Sequence, residues 1–94
     1  MTRLAAFTAL MALGACAMPP EGVDEAAVAR FDNAVLSMGC KLVTEPHYVA
    51  AEFQTGLSRE TLIETIQYKI ALEQAEPLEE GGFRFKTQGC GDAA

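Results

Sequence analysis

The sequence predicts a mainly helical α+β domain, three helices closed by a C-terminal β-hairpin, behind an export leader that is cleaved off. Three observations carry that expectation. Apolar residues recur at three- and four-residue spacing in successive segments between residues 24 and 74. After Ala75 the period shortens to two on either side of Glu80-Gly81-Gly82. Ahead of all this, Arg3 is followed by a ten-residue stretch, Leu4 to Leu13, without a charge.

The leader has the three parts of an export signal: a positive start at Arg3, the apolar stretch, and small residues Gly14-Ala15 before a cut. A spanning helix needs about 20 apolar residues, so this stretch is too short for a permanent anchor. Leu13-Gly14-Ala15-Cys16 resembles the lipobox of bacterial lipoproteins, an aliphatic residue and two small ones before cysteine. The resemblance implies diacylglycerol on the Cys16 thiol, cleavage before Cys16, and acylation of the new amine by a palmitate-like chain. Two or three such chains exceed the threshold for stable membrane attachment. Ala17 stands where an inner-membrane retention signal places Asp, which implies a periplasm-facing protein of the outer membrane. Ala15-Cys16-Ala17 is also an Ala-x-Ala triplet, and a cut after Ala17 would release a soluble periplasmic protein.

The expected division is therefore a signal peptide over 1–15, a lipidated tether over 16–22, one small domain over 23–90 and a frayed tail over 91–94. The full 94-residue chain carries a net charge of −6; loss of Arg3 leaves thirteen carboxylates against six Lys/Arg, or −7. Such an acidic body argues against nucleic acid as a partner and against attraction to anionic lipid.

With Cys16 assigned to lipid, Cys40 and Cys90 remain, and an exported protein with two such cysteines favours a disulfide between them. A metal site is disfavoured, since His47 is the sole histidine and no Cys-x-x-Cys occurs. A redox-active pair is disfavoured because neither cysteine has a sequence neighbour to pair with.

Ahead of the domain, Ala17-Met18-Pro19-Pro20-Glu21-Gly22 reads as a short extended tether. Asp24 caps a first helix whose stripe is Val28, Phe31, Val35 and Met38, with Gly39 closing it. Lys41-Leu42-Val43 is a linker or strand. Thr44 and Pro46 start a second helix, with Val49, Ala50 and Phe53 as its buried face and Gly56 at its end. Ser58 caps a third, striped by Leu62, Ile63, Ile66 and Ile70 and running to about residue 74, with Lys69 and Glu73 as an i,i+4 pair. In the hairpin, Phe83 and Phe85 share one face and Pro77 suits an edge strand.

Thr55-Gly56-Leu57-Ser58-Arg59-Glu60-Thr61-Leu62 is similar to the turn and second-helix start of helix-turn-helix proteins, and three helices plus a hairpin resemble a winged helix. Two departures stand out. The position four before Gly56, usually small, is Glu52, with Ala51 one place early. The third helix carries Glu60, Glu64 and Glu73 where a DNA reader needs a basic face. The scaffold would serve another purpose.

No catalytic constellation, metal site or cofactor is expected. His47 reads as a first-turn residue, and Glu60/Glu64 as a solvated face. Tyr68, Phe83 and Phe85 are the candidate interaction surface, an apolar patch whose acidic rim would select a basic partner. The function expected is a membrane-anchored, non-enzymatic accessory, assembly or interaction subunit of an envelope complex. The alternative is a periplasmic small-ligand or peptide binder, with a pocket between the third helix and the hairpin.

Overall fold

Asp24 accepts a hydrogen bond from the Ala27 N–H at 2.9 Å and so starts α1, Glu25–Ser37. The computed structural model describes residues 18–87 and 89–90. The leader, Cys16 and the 91–94 tail lie outside the described residues. At the end of α1 the N–H groups of Gly39 and Cys40 turn back to the carbonyls of Leu36 and Val35, at 3.2 and 2.7 Å. This is a Schellman closure with Gly39 left-handed, and it sets the direction in which Cys40 leaves the helix.

Lys41–Leu42 forms β1, followed by α2 (Glu45–Thr55) and α3 (Arg59–Ala71), then β2 (Ala75–Pro77) and β3 (Phe83–Phe85). The sheet is antiparallel in the order β1-β3-β2. Leu42 faces Phe83 across one side, while Ala75 and Pro77 face Phe85 and Phe83 across the other. Three helices with a β1-β3-β2 sheet give the mainly helical, winged-helix-like fold that the sequence predicts. Pro77 lies on an edge strand, where its missing N–H costs no ladder bond. The hairpin acquires a third strand because Lys41–Leu42 pairs with β3.

The core contains Phe31, Val35, Leu42, Ala51, Leu62, Ile66, Ala75 and Phe85. Phe31 and Phe85 meet edge to face, centroids 5.4 Å apart, joining α1 to the central strand. Met38, Tyr48, Leu57, Ile70 and Phe83 pack around this cluster.

Four expectations need correction. First, α2 buries Ala51 and Thr55, with Tyr48 half-buried, rather than Val49, Ala50 and Phe53. Ala34 on α1 and Ala51 on α2 retain no exposed surface. Small side chains at these points let the backbones come close, so the helix is rotated to present alanine instead of phenylalanine. Second, Ile63 is exposed and Thr65 is buried in its stead. The Thr65 and Thr55 hydroxyls donate to the carbonyls four residues back, at 2.8 and 2.6 Å, which lets both residues serve as apolar surface.

Third, α3 ends at Ala71. Glu73 is left-handed (φ 63°), and the N–H groups of Glu73 and Gln74 bond the Ile70 and Lys69 carbonyls. This is a second Schellman closure, with glutamate where glycine is the default, so the sequence carried no stop signal there. Fourth, the tether is not extended throughout: Val23 N–H bonds the Pro20 carbonyl at 3.0 Å, closing a turn with Gly22 at φ 84°. Val23 beyond it is buried.

Gly82 tests the hairpin. Its φ is 84°, and an added Cβ would stand 2.6 Å from Val43 Cα and closer still to the Leu42 carbonyl oxygen. Gly82→Ala is expected to cost about 2 kcal/mol or more, read as a lower urea midpoint. A wild-type midpoint would show that the turn yields freely.

Candidate functional site

Cys40 and Cys90, 50 positions apart in sequence, form a disulfide with Cα atoms 5.9 Å apart. It joins the exit of α1 to the end of the chain beyond β3. The Phe85 N–H donates to the Cys40 carbonyl at 2.8 Å, so sheet and disulfide converge on one residue.

The three aromatics expected to form one surface do not come together on it. Phe85 is fully buried against Phe31, and Phe83 is half-buried against the core. Their strand is central in the sheet, so its inward face belongs to the core. Tyr68 alone faces a concavity. It lines an open cleft of about 530 Å³ with Met18, Pro20, Glu21, Glu64, Gln67 and Ala71. This cleft lies between α3 and the segment before α1, not between α3 and the hairpin. Glu21 and Glu64 line it, and no Lys or Arg does. Its chemistry suits a cationic group, which two carboxylates and an aromatic ring would receive.

A second exposed feature lies on α2. Phe53 is 88% exposed and Val49 51%, and exposed Pro46 precedes them at helical spacing. The apolar signal was present in the sequence, but its direction was not. Around this row the charges are already spent on each other. Arg59 grips Glu45 through both guanidinium ends, at 2.7 and 3.2 Å, pairs with Glu52, and lies 5.1 Å over the Tyr48 ring. Burial pushes the Tyr48 hydroxyl upward, and its two carboxylate partners push Arg59 higher still.

His47 is also occupied. Its Nδ1 accepts the N–H groups of Val43 (2.9 Å) and Thr44 (3.3 Å), capping α2 from within its first turn. An acceptor nitrogen carries no proton, so this ring is used as a structural cap. Lys69 does not pair with Glu73. It is buried, with Nζ 2.8 Å from Asp32 Oδ1 and 2.9 Å from Gln74 Oε1. The Asp32 contact is ionic and lacks the angle of a directed hydrogen bond.

Glu45 and Glu76 are both held below the ordinary carboxylate value of 4.5, chiefly by hydrogen bonds from Arg59 and Arg84 respectively. A depressed folded-state value means that stability is present above the unfolded value and lost as pH falls through the folded one. The thermal midpoint is therefore expected to fall on acidification below about pH 4.5, and to fall less in Glu45→Gln, which lacks the charged pair with Arg59 at every pH. An acid limb unaltered by Glu45→Gln and Glu76→Gln would remove both pairs from the cause.

Among the described residues no group of three or more His, Cys, Asp or Glu is placed to hold a metal ion, and no helix is long and apolar enough to cross a membrane. No family model matches the chain, and no curated protein or solved structure matches it.

Proposed function

We propose that this chain is a lipid-anchored envelope lipoprotein, periplasm-facing and held in the outer membrane by acylated Cys16. It acts as a non-enzymatic accessory, assembly or interaction subunit of an envelope protein complex. One observation carries the reading: Cys40 and Cys90 take each other, which leaves Cys16 as the odd cysteine directly behind an apolar leader. Disulfides persist in oxidising compartments, which agrees with export. The domain's first buried residue, Val23, follows Cys16 by seven positions, so the body sits close to its anchor. Its partner contact is the cleft at Tyr68, Glu21 and Glu64, which favours a basic segment.

Intact-mass spectrometry of the membrane fraction tests the anchor. It should find a chain beginning at Cys16, heavier by diacylglycerol and an amide-linked chain, and lighter by two hydrogens for the disulfide. A chain retaining Met1 with three free thiols would overturn the reading. Photo-crosslinking from position 68 in intact cells should then give one dominant protein adduct, lost in Glu64→Lys.

The cleft also favours a second reading, a periplasmic binder of small cationic ligands or peptides. Thermal shift against Lys- and Arg-containing peptides separates the two, since a binder of free ligand is stabilised without any membrane component.

A further inference from the structure

The outer face of the sheet gathers cations in a chain that is short of them. Leu42 and Phe85 turn inward and are fully buried, so the side chains one step along each strand turn outward. On β1 that is Lys41, on β3 Arg84 with Lys86 just beyond the strand, and on β2 Glu76. The register sets Lys41, Arg84 and Glu76 in one cross-strand row. Six Lys and Arg stand among the described residues, and three of them are here. The other three are turned to contacts within the fold: Arg30 to the Thr55 carbonyl, Arg59 to Glu45 and Glu52, and Lys69 to Asp32. We propose that this face is a second docking surface, separate from the Tyr68 cleft, and that it receives a short acidic polypeptide segment.

The first support is the local charge. Glu76 holds Arg84 through Oε2, and its Oε1 stands 3.8 Å from Lys86 Nζ, so one carboxylate answers two cations. Lys41 is exposed and makes no ion pair among the described residues. Three cations against one carboxylate leave the row at +2, in a chain whose net charge is −6. Glu73, Glu79 and Glu80 are at least three positions from Glu76, roughly 10 Å in extended backbone. That is about one screening length at moderate salt.

The second is the placement of like charges. The Phe85 N–H bonds the Cys40 carbonyl, so the next pair, Lys41 and Arg84, is of the non-bonded kind whose side chains stand closest. Like charges directly opposite each other destabilise a sheet. Folding gains nothing from this pair, whereas a bound anion would turn the repulsion into attraction.

The third is the width of the row. A membrane or a nucleic acid is an extended anionic surface and would meet the acidic body together with the row. A segment one chain wide meets the row alone. Carboxylates on a polypeptide are the anions that come in that form.

The full processed chain, purified from cells, is titrated with fluorophore-labelled hexaglutamate at about 0.1 M salt, where screening over about 10 Å lets the row outweigh the distant body. Anisotropy should rise and saturate, and the amide resonances of Lys41, Arg84 and Lys86 should shift. The complex should weaken at about 0.5 M salt. Lys41→Gln/Lys86→Gln should weaken binding about fivefold or more. Both side chains are exposed, so the double variant should melt close to the wild-type midpoint. No rise in anisotropy, or an equal rise in the double variant, would overturn the inference. Displacement of the peptide by inorganic phosphate at comparable concentration would overturn it in favour of a phosphate-bearing partner.

Discussion

Reducing the Cys40–Cys90 disulfide is expected to remove about 4 kcal/mol of stability, the chain-entropy value for a loop of this length. A domain of about 70 residues has a total stability on the order of 3–10 kcal/mol, so much or all of the margin is at stake. With a midpoint shift of about 4–8 °C per kcal/mol, the melting temperature should fall by roughly 20 °C or more. Calorimetry on the oxidised protein, the reduced protein and the Cys40→Ser/Cys90→Ser variant measures it. The reduced protein and the double variant should agree. A shift below about 5 °C in both would show that the packed core and the two Schellman closures hold the domain without its staple.

The second large effect concerns Lys69, whose side chain is 3% exposed. Asp32→Ala would leave a buried ammonium with the Gln74 amide oxygen as its remaining described partner. Breaking a buried pair from one side costs about 3–5 kcal/mol, whereas replacing the whole pair by apolar groups of similar volume is often neutral or stabilising. Lys69→Met strands the Asp32 carboxylate, which is 25% exposed, and should lower the urea midpoint less than Asp32→Ala, while the double variant Asp32→Ala/Lys69→Met should recover most of the loss. If the double variant proved as damaging as Asp32→Ala, the pair would be a net stabiliser and the desolvation argument would fail here. The pair joins α1 to α3 across the core, so equilibrium unfolding reads it directly.

These expectations concern the body of the domain, while the proposed role depends on its surface. The cleft at Tyr68 and the row at Phe53 are separate features, one acidic and concave, the other apolar and bordered by the Glu45 and Glu52 pairs with Arg59.

Much of the fold was open to direct reading. Asp24 and Ser58 are caps because their short side chains reach back to an N–H within one turn. Gly39 and Gly56 end helices because a left-handed residue is needed there. The hairpin follows from Gly81-Gly82 and its flanking phenylalanines, and the disulfide from the cysteine count once Cys16 is set aside. Each of these depends on chemistry within a few residues or on simple counting.

What the sequence determined by itself was the order of the elements, their caps and the pairing of Cys40 with Cys90. Tertiary structure decided which way each helix faces and who meets whom. Periodicity shows that a helix has an apolar side, but α2 has two candidate sides a quarter-turn or more apart, and close approach selected alanine over phenylalanine. The same packing drew Lys69 inward to Asp32, buried Phe85 and left Phe53 in the open, because partners distant in sequence set those energies.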